Sequence, residues 1–112
     1  MNKFALALFV LLTALPGAAA TETWKKVSIV DSNCAAKVKD DPDEHTTKCA
    51  LQCEKSGYGI LTADGSFIKF DHSGNQKVVA ALNATKKTDH LRATVVGEKT
   101  ENQINLQSLT LD

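Results

Sequence analysis

The sequence predicts a mainly β domain with two short helices, folded as a five-stranded OB-like barrel with the element order β-α-β-β-α-β-β. Short runs in which apolar and polar residues alternate recur through residues 21–112 and indicate strands. Asp64-Gly65 separates two of these runs, as a hairpin turn does. A helical pattern follows, and five strands with a helix between the third and the fourth is the order of an OB fold. An open α+β sheet built from the same elements is the alternative.

Residues 1–20 have the pattern of a secretory signal peptide. Lys3 provides the basic start, the stretch from Phe4 to Leu15 is apolar, and alanines at 18–20 precede the expected cleavage point. The apolar run is too short and wrongly flanked for a membrane-spanning helix. We therefore expect an exported protein, periplasmic or extracellular, with residues 21–112 forming a single domain.

The charge balance of this domain argues against nucleic acid as a partner. Lys3 is one of 13 basic residues, and the chain has 13 acidic residues, so the domain after the signal peptide carries a net charge near −1. Proteins that bind single strands use a basic groove with aromatic platforms, and this chain has 1 Trp and 1 Tyr. We expect a metal ion or an envelope protein as the partner, and the sequence leaves the oligomeric state open.

The first strand is expected at residues 25–31, with the sequence KKVSIVD. An irregular stretch leads from it to a helix start, in which Asp41 would be the N-cap and Pro42 the first helical residue. Glu44 would complete a capping box. We expect this helix to continue to about Ser56, as part of a helical insertion at about 34–57 between the first two strands.

A β-hairpin is expected next, with strands at residues 58–63 and 66–71. Asp64-Gly65 favours a two-residue type I′ turn, which requires a positive φ at both positions. After the hairpin, the run that begins at Ser73 and ends at Gln76 resembles another capping box. It precedes a helix whose apolar stripe consists of Val78, Val79, Ala81 and Leu82.

The last two strands are expected at residues 91–97 and 103–111. In the final strand the apolar residues change parity, since Leu106 and Leu109 are separated by three positions. A bulge near Gln107-Ser108 would reconcile the two halves. Gly97 is expected to mark a bulge or a close approach of two backbones.

The most unusual feature of the chain is a cysteine–histidine cluster. On one continuous helix, His45, Cys49 and Cys53 would share a face within about 80°, because each step of four residues advances about 400°. The loop after Cys34 is long enough to bring that thiol over the same face. Three thiolates and an imidazole form a tetrahedral donor set that suits zinc or copper(I). We therefore predict a small, exported, non-enzymatic binding protein with a Cys₃His metal site.

Two other interpretations of the cysteines stay open. Cys34 paired with Cys49 or Cys53 would make a disulfide-stapled interaction module of the cell envelope, stabilised by roughly 3 kcal/mol. The odd number of cysteines, 3, would then leave one thiol unpaired. Thiol exchange is the minor alternative, because the spacing is Cys-x-x-x-Cys and not the common Cys-x-x-Cys at a helix N-terminus.

Several stretches resemble a group of small exported bacterial proteins of uncharacterised function. The resemblance is carried by VDSNC after the first strand, by His45 with Cys49 and Cys53, by the hairpin YGILTADGSFIKF and by the ending RATVVGEKTENQINLQSL. It covers most of residues 21–112. The resemblance implies an exported OB-like domain and contributes no catalytic residues.

Overall fold

The computed structural model describes residues 20–112. Its strands are Thr21–Asp31 (β1), Tyr58–Leu61 (β2), Phe67–Phe70 (β3), Arg92–Lys99 (β4) and Gln103–Leu111 (β5). They form a closed barrel in the order β1-β2-β3-β5-β4. All neighbouring strands are antiparallel except β3 and β5, and β1 pairs with β4 to close the ring. This closed barrel confirms the predicted OB-like fold over the open sheet.

The predicted signal peptide falls almost entirely on residues 1–19, which lie outside the described part of the chain. Within residues 20–112, the structure contains no helix with the length and apolar character needed to cross a membrane.

The barrel interior is filled by aliphatic residues and two aromatic rings. Alternate positions of β4, namely Ala93 and Val95, point inward, and α3 (His72–Ala84) covers the barrel with Val78 and Leu82. A smaller apolar cluster lies outside the main core, where α1 (Ala35–Val38) packs. The largest fully buried side chains are Tyr58, Ile29, Ile60, Leu82, Leu91, Ile104, Val30, Val78, Val95 and Asp31.

The predicted irregularity in the last strand is present. Val96 pairs with Ser108 and Gly97 pairs with Leu106, so Gln107 is the extra residue of a β-bulge. Gly97 also lies close to the neighbouring backbone, since a Cβ there would be 2.5 Å from the carbonyl oxygen of Asn105. The sequence thus predicted both the bulge and the close approach correctly.

The hairpin forms where it was predicted, but its turn is of a different type. The N–H of Thr62 donates to the carbonyl of Ser66, and the N–H of Gly65 donates to the carbonyl of Thr62. Gly65 has a φ of +84°, whereas Asp64 does not have a positive φ. The connection is therefore a three-residue loop with a left-handed glycine, and the type I′ prediction was wrong. The Asp64 carboxylate accepts from Thr62 and Ser66 and so favours the longer loop.

The second predicted helix also forms, as α3, but it begins earlier than the Ser73 capping box suggested. Asp71 is the N-cap, and its Oδ1 accepts from the backbone N–H of Gly74 at 3.1 Å. The same oxygen accepts from the N–H of Leu106 in β5 at 3.1 Å. One carboxylate therefore starts the helix and fixes it to the barrel, which a local pattern does not reveal.

The insertion, which comprises residues 32–57 between β1 and β2, contradicts the prediction of one helix from Asp41 to Ser56. A 3₁₀ turn at Pro42–Glu44 is followed by extended backbone at His45, with φ −69° and ψ 121°. A new helix, α2 (Thr47–Gln52), then begins with Thr46 as its N-cap. The side chain of Asp41 makes no capping hydrogen bond, whereas the Thr46 hydroxyl accepts from the N–H of Cys49 at 3.1 Å.

Contacts outside the insertion account for this break. The backbone carbonyl of Asp43 accepts from the N–H of His90, and the N–H of Thr47 donates to the carbonyl of Thr88, both at 3.0 Å. These bonds fix the chain on either side of His45 to the segment that precedes β4. The imidazole of His45 is buried against β1, and an uninterrupted helix would not satisfy all three contacts.

Candidate metal centre

The candidate centre is built around Asp31, the last residue of β1. Asp31 pairs with Tyr58 in the β1–β2 ladder, and its exposed fraction is 0%. A buried carboxylate is costly unless it is hydrogen-bonded or paired with positive charge. Here Oδ2 accepts from the backbone N–H of Cys34 at 3.1 Å, and Oδ1 lies 2.6 Å from Nε2 of His45. The barrel therefore supplies one rigid anionic donor at the base of the insertion.

Two thiols complete the group. A carboxylate oxygen of Asp31 and the Sγ atoms of Cys34 and Cys53 all lie within 4.8 Å of one another. Cys34 is the N-cap of α1, and Cys53 lies at the joint between α2 and the 3₁₀ turn that follows it. Both cysteines are half-buried, so they are partly covered by protein and partly accessible to solvent.

The donor set fits a tetrahedral ion of the size of zinc. Zn–S bonds of about 2.3 Å at a tetrahedral angle place two sulfur atoms about 3.8 Å apart. The observed separations reach at most 4.8 Å, so a contraction of about 1 Å or less would bring the thiols onto one ion. Because Cys34 and Cys53 both lie at the ends of short elements, small shifts of these segments are enough.

His45 supports the carboxylate. A carboxylate only accepts hydrogen bonds, so the Nε2 that lies 2.6 Å from Asp31 Oδ1 carries the proton and donates. The exposed fraction of His45 is 5%, and its ring is held by this bond. Such an outer hydrogen bond fixes the orientation of a metal-binding carboxylate. In this arrangement Nε2 of His45 is therefore engaged by Asp31 and does not offer a lone pair to a metal ion.

The structure separates the four residues that the sequence grouped together. It brings Cys34 and Cys53 into one cluster, and it places His45 one hydrogen bond behind that cluster. Cys49 is exposed on α2 and does not belong to the group. The shared helix face on which the Cys₃His prediction depended does not form, because the helix is interrupted at His45. Ligation by His45 and Cys49 stays a prediction.

The thiols are unbonded, and the surroundings of one of them favour its protonated form. No disulfide joins any of the three cysteines, all of which lie in the described residues. Burial, the negative charge of Asp31 and a hydrogen bond to it raise the pKa of the Cys34 thiol above its ordinary value of 9.0. A metal ion would have to displace that proton. The thiols of exchange enzymes typically show the opposite shift, a lowered pKa, which speeds their reaction.

Sequence reasoning missed Asp31 as a donor. The available signal was local: a carboxylate ends an apolar strand three residues before Cys34, in the stretch IVDSNC. Its parity within β1 also mattered, because Asp31 follows Ile29 on the inward-facing side. Acidic side chains at strand ends are common and usually exposed, so this signal gains meaning only when burial is known.

The fold and the cluster together define a class: a small closed β-barrel that carries a candidate metal centre at the base of an insertion. Comparisons of the chain with models of protein families, with curated proteins and with solved structures find no match. The resemblance to small exported bacterial proteins therefore stays a prediction from the motifs in the sequence.

Proposed function

We propose that this protein is an exported, non-enzymatic metal-binding protein in which Asp31, Cys34 and Cys53 hold a zinc ion. The observation that supports the proposal is the convergence of these three donors within 4.8 Å of one another. They come from a barrel strand and from two separate segments of the insertion. Export is proposed from the signal-peptide pattern of residues 1–20.

The chemistry of the donors favours zinc over copper(I). Zinc accepts thiolate, imidazole and carboxylate ligands, whereas copper(I) selects soft sulfur donors. Asp31 contributes a hard oxygen, and the two thiolates would bring the number of anionic donors to three. A divalent cation compensates this charge better than a monovalent one. Three protein ligands leave one tetrahedral position for water or a further donor.

The proposed role of the ion is to fasten the insertion to the barrel. Cys34 and Cys53 bracket most of residues 32–57, and Asp31 belongs to the barrel. Binding that occurs only in the folded arrangement adds to folding stability. The zinc site would thus order a segment whose helices are only 4 and 6 residues long.

The proposal is tested by zinc binding to the fully reduced protein. Competition with a chromophoric chelator is expected to give one zinc per chain. With Co²⁺ as a spectroscopic substitute, the thiolate-to-cobalt absorption should fall by about half in Cys34→Ser or in Cys53→Ser, because each variant removes one of two thiolate ligands. Asp31→Asn should weaken the affinity by about 10- to 100-fold while keeping the thiolate absorption.

Cys49→Ser is the matched control, since Cys49 is exposed and outside the group. It should bind zinc and cobalt as the unchanged protein does. An equal loss in Cys49→Ser and Cys53→Ser would support the larger Cys₃His set instead. Absence of zinc binding by the reduced, folded protein would contradict the proposal altogether.

A disulfide-stapled envelope module is the second candidate. It is favoured by one observation, namely that the Sγ atoms of Cys34 and Cys53 lie within 4.8 Å of each other. This observation selects Cys53 over Cys49 as the partner of Cys34. Thiol counting on denatured, non-reduced protein from its native compartment, combined with zinc binding after reduction, separates the candidates: three free thiols favour the metal site, and one free thiol in a protein that binds no zinc once reduced favours the staple.

A further inference from the structure

We propose that zinc binding and a Cys34–Cys53 disulfide are mutually exclusive states of the same pair of sulfur atoms, and that a low-molecular-weight disulfide drives release of the ion. This inference rests on the proposed zinc site. It adds to that site a means of regulation by redox conditions. An exported protein passes between reducing and oxidising surroundings, so both states are chemically accessible.

The geometry suits both states. The two Sγ atoms are at most 4.8 Å apart, while a zinc dithiolate needs about 3.8 Å and a disulfide about 2.05 Å. Cys34 begins α1, and Cys53, with φ −105° and ψ 23°, follows the last residue of α2. Neither thiol is held in the middle of a rigid element, so each can approach the other.

The other cysteine pairs are less suitable. Cys49 lies within α2 and is four residues from Cys53, and side chains at this spacing on a helix are poorly directed for a disulfide. Cys49 is also absent from the group that contains Cys34 and Cys53. The structure therefore selects one disulfide among the three that the sequence allows.

The exchange reaction balances with one disulfide as the oxidant. A thiolate of Cys34 or Cys53 attacks the low-molecular-weight disulfide, which forms a mixed disulfide and expels one small thiolate. The second cysteine then attacks the sulfur of the first, forms the protein disulfide and expels the second small thiolate. Two protons from water convert these products into thiols. The cysteines lose two electrons, the oxidant gains them, and Zn²⁺ leaves without a change in its oxidation state.

The buried polar groups remain paired after the ion leaves. Asp31 keeps its hydrogen bonds to Nε2 of His45 and to the backbone N–H of Cys34 in the metal-free arrangement. Loss of the ion therefore does not leave an unpartnered buried carboxylate, which would be expensive. Both thiols are half-buried, so a small oxidant has access to them.

The experiment treats the zinc-loaded protein with oxidised glutathione and follows the ion with a chromophoric indicator. We expect one zinc released for each disulfide formed, two molecules of glutathione produced, and a Cys34–Cys53 link in the peptide map. A reductant should restore zinc binding. Bound zinc should slow oxidation by about tenfold or more relative to the metal-free protein, because the ion occupies the attacking thiolates.

Cys49→Ser is included because the exposed Cys49 thiol would otherwise take up glutathione independently. This variant should release zinc with the same stoichiometry. Retention of zinc after oxidation, or a protein disulfide that involves Cys49 in the unchanged chain, would overturn the switch while leaving the zinc site intact. If the reduced protein binds no zinc, both this inference and the proposed function are contradicted.

Discussion

The barrel and the insertion differ in how their structures are determined. In the barrel, strand 92–99 and the first half of strand 103–111 repeat an inward–outward pattern, and many similar contacts fix each strand. In the insertion, the course of the chain depends on single long-range contacts. Tyr58 Oη donates to the carbonyl of Ala50, and Thr47 Oγ1 donates to the carbonyl of Lys87. A repeated pattern can be recognised in the sequence, whereas the distant partner of a single hydrogen bond cannot.

The energetic consequences differ in the same way. A change in the barrel disturbs a close-packed interior, so it should affect the stability of the whole domain. A change in the insertion breaks one hydrogen bond or one ion pair and should affect stability less. Four predictions test this comparison.

The largest effect is expected for Gly59→Ala in β2. A Cβ at this position would lie 2.2 Å from the carbonyl oxygen of Ile68 in the paired strand β3. The strands would have to separate, and we expect the free energy of unfolding to fall by about 3 kcal/mol or more. Chemical denaturation followed by circular dichroism measures this change.

Gly65→Ala is the control for that substitution. No atom lies within 4 Å of a Cβ at Gly65, and the only cost is its φ of +84°. We expect a loss of about 1 kcal/mol. Equal losses for the two variants would mean that the β2–β3 contact tolerates an extra methyl group and that the barrel is less tightly determined than its register indicates.

The sequence predicted most of the barrel, for a physical reason. The parity change between Leu106 and Leu109 is visible in the chain because the inward face of a strand must be apolar, and it located the bulge correctly. The turn type was not predicted, since it depends on which hydrogen bonds the Asp64 side chain accepts. The N-cap at Asp71 was missed for a similar reason, because part of its stabilisation comes from Leu106, 35 residues away.

The candidate site was predicted only in part. Cysteines are rare and informative, so Cys34 and Cys53 were found. The continuous helix was expected because Asp41, Pro42 and Glu44 satisfy local capping rules. Those signals contribute about 1 kcal/mol each, and packing of the insertion against the barrel outweighs them. The burial of His45 follows from that packing and has no local signature, whereas Asp31 had only the weak signal of its parity with Ile29 in β1.

Tyr58 connects the two regions and gives the next prediction. Burial, followed by the negative charges of Glu54 and Asp31, raises the pKa of Tyr58 from 10.0 to about 12. Tyr58 in the unfolded chain ionises at the lower value. The stability linked to this pKa difference is therefore complete below pH 10 and is lost as the pH rises towards 12. Tyr58→Phe should lose less stability over that interval than the unchanged protein.

Tyrosinate absorbance provides a direct measurement, since the chain has 1 Tyr. The native protein should show no appreciable signal near pH 10, and the protein in denaturant should titrate at its ordinary value of 10.0. If Tyr58 in the native protein titrated near 10.0, the insertion would have to open readily and expose the tyrosine ring.

The helix caps provide a matched comparison of intermediate size. Asp71→Ala removes an oxygen that accepts from both Gly74 and Leu106, so we expect a loss of about 2 kcal/mol. Thr46→Ala removes the single cap of α2 and should cost about 1 kcal/mol or less. Thermal and chemical denaturation measure both changes.

Ser73→Ala tests the capping position that the sequence suggested for α3. The structure predicts almost no change, because the Ser73 hydroxyl bonds to Asp71 on the surface and does not cap the helix. If Ser73→Ala lost as much stability as Asp71→Ala, the capping box that begins at Ser73 would be supported instead.

The smallest effect is expected for the ion pair between Asp43 in the insertion and Arg92 in β4. Two hydrogen bonds of 2.8 and 2.7 Å join the side chains, and they hold the pKa of Asp43 below its ordinary value of 3.8. A lowered carboxyl pKa stabilises the fold above the unfolded value, and the contribution disappears as the pH falls below it. Asp43→Asn should therefore lower the melting temperature slightly at neutral pH, by at most a few degrees.

The difference between Asp43→Asn and the unchanged protein should narrow as the pH falls through about 4 and below. It should also shrink at high salt, because both side chains are partly exposed. A large decrease in the melting temperature, or a decrease that high salt does not reduce, would mean that this ion pair fixes the insertion more firmly than its exposure indicates.

Asp31 belongs to two structures at once, the hydrogen-bonded edge of β1 with β2 and the proposed zinc site. An ion that prefers the paired strand end also strengthens that pairing, and thermodynamic reciprocity makes the two effects equal in free energy. Amide exchange at Ser32, whose N–H donates to the carbonyl of Gly57 at 2.9 Å next to the Asp31–Tyr58 pair, should therefore report the occupancy of the site without any probe of the metal itself. By the same reciprocity, a ligand that separated β1 from β2 near Asp31 would weaken zinc binding without contacting the zinc site.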